Sequence, residues 1–216
     1  MLTSGKLMGA GGVGGGVSSL TFVGTNSGRT GSLAFPTGTQ AGDIVICINA
    51  WGSTSSVPPT EWPTGFTLLN RATNQYFTGG KAATTRRSAL AFSYRVVQAG
   101  DSVAGGVSSQ STILLFTYRP DSEISSVSAF GSSTQSRTIP SGSSSTATIV
   151  FASNADADAA PFSMSLTGAD ANLSLIYSTG YAKLSALSQD AGSNANVATS
   201  SNATYPCAYN GYMEIT

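Results

Sequence analysis

Residues 40–69 read QAGDIVICINAWGSTSSVPPTEWPTGFTLL, and this stretch decides the fold class. A Gly-Asp turn leads into an unbroken apolar run, which is typical of a strand that is buried on both faces. The segment TILLFTYR at 112–119 has the same character. We therefore expect both segments to be central strands, with one face in the core and the other covered by a loop or a neighbouring chain.

Short candidate strands separated by Gly, Ser, Pro and Asp continue from residue 18 to the end of the sequence. No segment shows a sustained 3.6-residue period, although a helix within 181–190 is left open. The segment RSALAFSYRVV at 87–97 alternates and predicts a half-buried strand. The pattern predicts an all-β chain, with residues 18–216 forming a single antiparallel β-sandwich. The predicted strands are 19–24, 31–36, 43–51, 65–71, 87–97, 112–119, 124–130, 145–152, 161–167, 173–184 and 207–215.

The tetrapeptide QAGD occurs at 40–43 and again at 98–101, each time before a predicted strand. Glycine supplies the positive φ of a tight turn, and an Asp side chain can bond to its own backbone two residues further on. The repetition predicts two related turns within one domain.

Composition argues against several functions. Ten basic and ten acidic residues cancel, so no net charge favours nucleic acid or an anionic membrane as a partner. The chain has no histidine, the commonest general base and metal ligand, and its carboxylates are few and scattered. We expect a protein that is not an enzyme and has no cofactor. A surface with few charges also suits a subunit that is packed among neighbours in an assembly.

Residues 1–17 form a glycine-rich N-terminal arm with apolar residues spaced along it. Each glycine disfavours a helix by about 1 kcal/mol relative to alanine, but lets two backbones approach closely. The arm is either a loose tail or an extended segment that becomes ordered on a neighbouring subunit. The second interpretation makes Leu2, Leu7, Met8 and Val13 partner contacts. The start of the chain lacks the apolar run of a signal peptide, so we expect synthesis in the cytoplasm.

Other residues offer weaker candidates for a site. Asp156, Asp158 and Asp170 could form a calcium loop, although solvated turn residues are the commoner case. Trp62 is the tryptophan expected to be exposed, and an aromatic side chain of this kind could stack on a sugar ring. Cys47 and Cys207 could meet if the last strand returns beside 43–51, but free thiols are typical of a protein made inside a cell.

The stretch LAFPTGTQAGDIVICINAWGSTSSVPPTEWPTGFTLL, followed by SYRVVQAGDSV and FTYRP, resembles a pattern in small structural proteins of tailed bacteriophages. The resemblance covers roughly residues 20 to 170. It implies a jelly-roll-like β-sandwich and a tail, fibre or head-decorating role, and it implies no catalytic residues. Its glycine-rich start is similar to the docking arms of those proteins.

We therefore expect a non-enzymatic virion protein that is made in the host cytoplasm and acts through assembly contacts. Its partners would be other virion proteins and copies of itself, with a trimer expected by analogy with spikes and decoration proteins. The alternative is a carbohydrate-binding module that recognises glycans of the host surface, with Trp62 as the contact.

Overall fold

The computed structural model describes residues 16–53, 62–77, 86–132, 136–139, 147–155, 163–167, 177–178, 182–189, 196–201 and 208–216. Thirteen strands lie within these ranges, and every pairing between them is antiparallel. The described part of the chain contains no helix, and so none that could cross a membrane. For the described residues, the prediction of an all-β fold with antiparallel sheets is confirmed.

The strands form two five-stranded sheets and one three-stranded sheet. The first sheet has the order β1-β5-β2-β4-β3, the second β10-β11-β8-β13-β6, and the third β7-β12-β9. The strands are β1 (Leu20–Ala34), β2 (Ile44–Ser53), β3 (Thr67–Phe77), β4 (Arg86–Val96), β5 (Val103–Pro120), β6 (Val127–Ser132), β7 (Ser136–Ile139), β8 (Ala147–Ala155), β9 (Ser163–Thr167), β10 (Tyr177–Ser178), β11 (Ala182–Gln189), β12 (Asn196–Ser201) and β13 (Ala208–Ile215).

The apolar run that decides the fold class forms β2, the middle strand of the first sheet. Ile44 pairs with Val96 of β4 on one side and with Tyr118 of β5 on the other. The prediction of two central strands is confirmed, because β5 is also an inner strand. The backbone N–H and C=O groups of an inner strand bond to a neighbouring strand on both edges, so none of them needs water. Such a position therefore suits a run of apolar residues.

One face of the first sheet packs against the second sheet. Ile46 and Phe116 of the first sheet belong to the same hydrophobic cluster as Ile149 and Met213 of the second sheet. All four side chains are at most 3% exposed. Burial of a large apolar side chain stabilises a fold by about 1.5–3 kcal/mol. This first-face cluster therefore holds the two sheets together.

The other face of the first sheet is covered by segments of the same chain. Val45, Cys47 and Leu115 are fully buried there. They belong to a second-face cluster that also includes Ile113 of β5. Its other buried members come from the connections between strands and from the start of β5, namely Phe35, Phe66, Val97 and Ala104. Of the two alternatives expected from the sequence, a loop or a neighbouring chain, the structure shows loops of the same chain covering this face.

Strand β1 folds back on itself to supply part of this cover. The Asn26 side chain donates a hydrogen bond to the Ala34 carbonyl over 2.9 Å, although eight residues of straight strand would span about 26 Å. The register with β5 shifts between Arg29 and Gly31 and again between Gly31 and Leu33. Such bulges bend a strand. The two segments predicted at 19–24 and 31–36 are therefore one bent strand.

The structure differs from the sequence analysis at three further places. The middle of β4 is buried on both faces rather than half-buried, because the second-face cover extends over it: Ala91 is 8%, Phe92 0% and Ser93 1% exposed. The strands β7 and β12 were not predicted, since their short polar sequences resemble loops. The region left open for a helix at 181–190 contains a strand, β11.

Candidate functional site

The two QAGD segments fold into the same turn. Gly42 has φ of 90° and Gly100 has φ of 92°, values that fit the third position of a type II turn. In both turns the Asp N–H donates to the carbonyl of the Gln three residues earlier, over 3.1 Å. The prediction of related turns at 40–43 and 98–101 is confirmed.

The two Asp side chains also make the same bond, though not the predicted one. Oδ2 of Asp43 accepts from the N–H of Gln40, and Oδ2 of Asp101 accepts from the N–H of Gln98, each over 2.9 Å. The carboxylate thus reaches back three residues rather than forward two. The reason is that the Asp stands at the fourth position of the turn, where its side chain faces the first.

Each of these carboxylates binds an arginine of the first sheet. Arg119 donates to Asp43 through Nε over 2.9 Å and through Nη2 over 3.0 Å. Arg95 donates to Asp101 in the same two-point manner, with Nε at 2.8 Å. The hydrogen bond to Asp43 raises the pKa of Arg119. The module of turn, carboxylate and arginine therefore occurs twice in the chain.

Two Pro-Thr-Gly turns support these modules. Residues 36–39 and 63–66 each close through a bond of 3.1 Å, with Gly38 at φ of 90° and Gly65 at φ of 83°. Gly38 also accepts a bond from Arg119 Nη2 over 3.0 Å. A Cβ on Gly65 would lie 2.3 Å from Nη1 of Arg95. Each arginine is thus held between an Asp turn and a Pro-Thr-Gly turn.

A pocket of about 790 Å³ opens at the end of the first sheet where the first QAGD turn lies. Gly42 donates to the Val97 carbonyl over 2.9 Å and Val97 donates to the Asp43 carbonyl over 2.8 Å, so two walls are bonded together. We call this feature the end pocket. Its lining residues are Gln40, Ala41, Gly42, Asp43, Val96, Val97, Gln98, Arg119, Pro120, Ser122, Glu123 and Ile124.

The charges in the end pocket are unevenly paired. Asp43 is 1% exposed and satisfied by Arg119, whose side chain is 39% exposed. Glu123 is exposed and makes no ion pair with the described residues. The pocket thus offers one free carboxylate among apolar walls from Val96, Val97 and Ile124.

Residues 16–19, which we call the arm root, attach beside this pocket. Val17 is fully buried in the first-face cluster, and its carbonyl accepts a bond from Ala147 over 2.9 Å. Ser18 donates through N–H and Oγ to the carboxylate of Asp121, which also donates its own N–H to the Ser19 carbonyl. The bond from the Ser18 hydroxyl is the main cause that lowers the pKa of Asp121 to about 2.

The predicted site residues are only partly covered by the structure. Trp62 is partly buried and packs against the second-face cluster, a position that helps to cover the sheet. Cys47 is a free, buried thiol whose pKa is raised to about 12 by burial. The other predicted residues lie outside the described residues, namely Leu2, Leu7, Met8, Val13, Asp156, Asp158, Asp170 and Cys207.

Sequence reasoning missed the residues that organise this end of the molecule. Arg95, Arg119 and Asp121 stand in SYRVV and FTYRPD, and the only signal for them was their closeness to the two QAGD segments or to a strand end. In the described part of the chain, no group of three or more Cys, Asp or Glu side chains is placed to hold a metal ion. The two ion pairs brace the turns at this end of the sheet.

Comparison with protein-family models, with curated proteins and with solved structures found no match to this chain.

Proposed function

We propose that this chain is a non-enzymatic structural protein of a tailed bacteriophage virion, either associated with the tail or fibre or decorating the capsid. It acts through contacts with other virion proteins and with copies of itself. In this proposal the two five-stranded sheets form a single jelly-roll-like β-sandwich, from which the N-terminal arm extends to a neighbour. The subunit is made in the host cytoplasm and forms a trimer.

The observation that supports the proposal best is the use of ionic side chains to brace the two QAGD turns. Asp43, Asp101, Arg95 and Arg119 are all engaged in holding turns. Turns that are braced by two-point ion pairs favour a scaffold whose surface shape must stay constant.

The arm root supports the same proposal. Val17 is buried and Ser18 is tied to Asp121, so a pull on residues 1–15 would be transmitted to the core rather than taken up by a loose segment. A segment that is anchored at one end and rich in glycine suits an arm that lies on another subunit. Association through such an arm adds buried area without altering the folded domain.

The sequence resemblance described above supplies the virion context, and particle fractionation tests it. Antibodies raised against the purified chain would be used on lysates of cells that produce the phage encoding it. We expect the chain to sediment with intact particles through a density gradient and to remain with them after washing in high salt. Recovery of the chain only from the soluble fraction would contradict the proposal.

The arm is tested by a truncation designed on the structure. Deletion of residues 1–15 leaves Val17 and Ser18 in place, whereas deletion of residues 1–17 would also remove a core side chain. We expect the shorter deletion to fold normally and to lose incorporation into particles. Normal incorporation would show that the arm is not the anchor.

Light scattering of the intact chain tests the trimer, which has three times the 21.8 kDa mass of one chain.

A further inference from the structure

We infer that the end pocket receives residues 6–8 of the N-terminal arm of a second copy of this chain, with the Lys6 ammonium facing the Glu123 carboxylate. This inference rests on the proposed assembly function and names the surface on which the arm acts. The occupant is identified by three properties of the end pocket, namely its volume, its charge and its walls, compared with the sequence of the arm.

The volume and walls of the end pocket suit a short peptide segment. The volume of about 790 Å³ falls within the range of about 300–1,000 Å³ that is typical of ligand pockets. Val96, Val97, Pro120 and Ile124 supply apolar surface. Gln40 and Gln98 add two exposed side-chain amides, of which that of Gln98 already donates one hydrogen bond to the Val96 carbonyl over 3.3 Å; their remaining donors and acceptors can bond to a peptide backbone. The apolar pair Leu7-Met8 in the arm is complementary to such a surface.

The charge of the end pocket points to one arm residue. Asp43 and Arg119 neutralise each other, which leaves Glu123 as the carboxylate that makes no ion pair with the described residues. Lys6 is the only charged side chain among residues 1–15. It directly precedes Leu7-Met8, so a single short segment offers a cation for Glu123 and apolar side chains for the apolar walls of the pocket.

The choice of another copy as the source of the occupant follows from the proposed function, in which the arm lies on a neighbouring subunit. The arm root itself lies beside the pocket, because Ser18 bonds to Asp121, which stands between the lining residues Pro120 and Ser122. The trapping experiment therefore has to distinguish the pocket of the same molecule from the pocket of another copy. Exchange of an identical segment between copies is a low-cost route to assembly.

Disulfide trapping between full-length copies tests the inference. Cys207→Ser is included in every variant, and the buried Cys47 is retained. A Met8→Cys copy is mixed with a Gln98→Cys copy that carries a mass tag, and the control pairs Met8→Cys with Thr67→Cys. Thr67 is exposed but does not line the end pocket. We expect the disulfide-linked pair of the two copies to form at least about ten times faster for Gln98 than for Thr67, because a docked segment raises the local concentration of the thiol.

The double variant Met8→Cys/Gln98→Cys distinguishes one copy from two. A disulfide that forms only within single chains would place the arm in its own pocket and overturn the inference. Equal trapping at Gln98 and Thr67 would overturn it as well, because random collision then explains both products.

Charge reversal tests the ionic contact independently of any disulfide. We expect Lys6→Glu or Glu123→Lys alone to weaken self-association about two- to fivefold, as is typical of an exposed ion pair, measured by sedimentation over a concentration series. The combined variant should restore association to within about twofold of the natural chain. Failure of the combined variant to recover any affinity would refute the Lys6–Glu123 pairing.

These results separate the two proposals. A chain that sediments with particles but shows no trapping at Gln98 would retain the virion function and lose this inference. A chain that traps at Gln98 but is absent from particles would retain the exchanged arm and lose the virion function.

Discussion

Replacement of Asp43 by alanine should cost clearly more than an ordinary surface substitution. The carboxylate is 1% exposed and accepts three hydrogen bonds: one from the Gln40 N–H over 2.9 Å and two from Arg119 over 2.9 and 3.0 Å. Removal of a buried acceptor leaves these donors to find water or remain unpaired. A bond to a charged group typically contributes about 1.5–3 kcal/mol, and loss of a buried ion pair costs about 3–5 kcal/mol.

The position of Arg119 lowers that figure. Its side chain is 39% exposed, so water can solvate the guanidinium once the carboxylate is gone. We therefore expect Asp43→Ala to reduce the free energy of unfolding by about 2–3 kcal/mol. Asp43→Asn keeps an acceptor for the Gln40 N–H and should lose about half as much. Asp101→Ala, at a carboxylate that is 17% exposed, should lose about 1–2 kcal/mol.

Urea unfolding followed by the fluorescence of Trp51 and Trp62 measures these differences, provided that the transition is two-state. We expect Asp43→Ala to lose more free energy of unfolding than Asp101→Ala. A loss below about 0.5 kcal/mol for Asp43→Ala, which is the size of an ordinary surface substitution, would refute the view that the first module braces the sheet end.

Three further predictions concern glycine, thiol and carboxylate chemistry. Gly65→Ala and Gly100→Ala each place a side chain at positive φ, which should lower the free energy of unfolding by about 1–2 kcal/mol. Only the new Cβ at position 65 also pushes against Arg95. Urea unfolding should therefore show a loss about 1 kcal/mol larger for Gly65→Ala. Equal losses would mean that the contact with Arg95 is not important. Burial raises the pKa of Cys47 to about 12, so iodoacetamide at pH 8 should modify this thiol only at the rate at which the chain unfolds. Peptide mapping of the labelled chain measures that rate. Rapid labelling of Cys47 in the folded chain would contradict the prediction. The pKa of Asp121 is lowered from 3.8 to about 2, so between these pH values the folded state binds fewer protons at this carboxylate than the unfolded state does. The stability that the carboxylate contributes is therefore present above about pH 4 and is lost as the pH falls towards 2. Asp121→Asn should therefore lose less stability over that interval, and an unchanged pH dependence would count against the bond between the arm root and Asp121.

The sequence predicted the strands whose cause is local. The run IVICI has no polar alternation, so it can only be an inner strand, and the structure places it in the middle of the first sheet. The glycines of the two QAGD segments likewise demand a turn wherever they occur. Both features follow from a few adjacent residues and need no knowledge of the rest of the fold.

The parts that sequence reasoning missed depend on distant residues. Arg119 meets Asp43 across 76 positions, because β2 and β5 are neighbours in the sheet, and the topology is not visible in either segment. The fold of β1 onto itself depends in the same way on its pairing with β5. Loops of the chain also bury Ser93, which alternation alone had assigned to an open face. The location of the end pocket could not be predicted for the same reason.

An image of the assembled phage particle tests the central claim most directly. Gold-labelled antibodies against this chain, or a particle reconstruction in which its strands can be traced, would locate the subunit. The account predicts repeated copies at symmetry-related positions on the head, tail or fibre, with residues 1–15 in contact with a neighbouring subunit. Particles that are complete and infectious but carry no copy of the chain would contradict it.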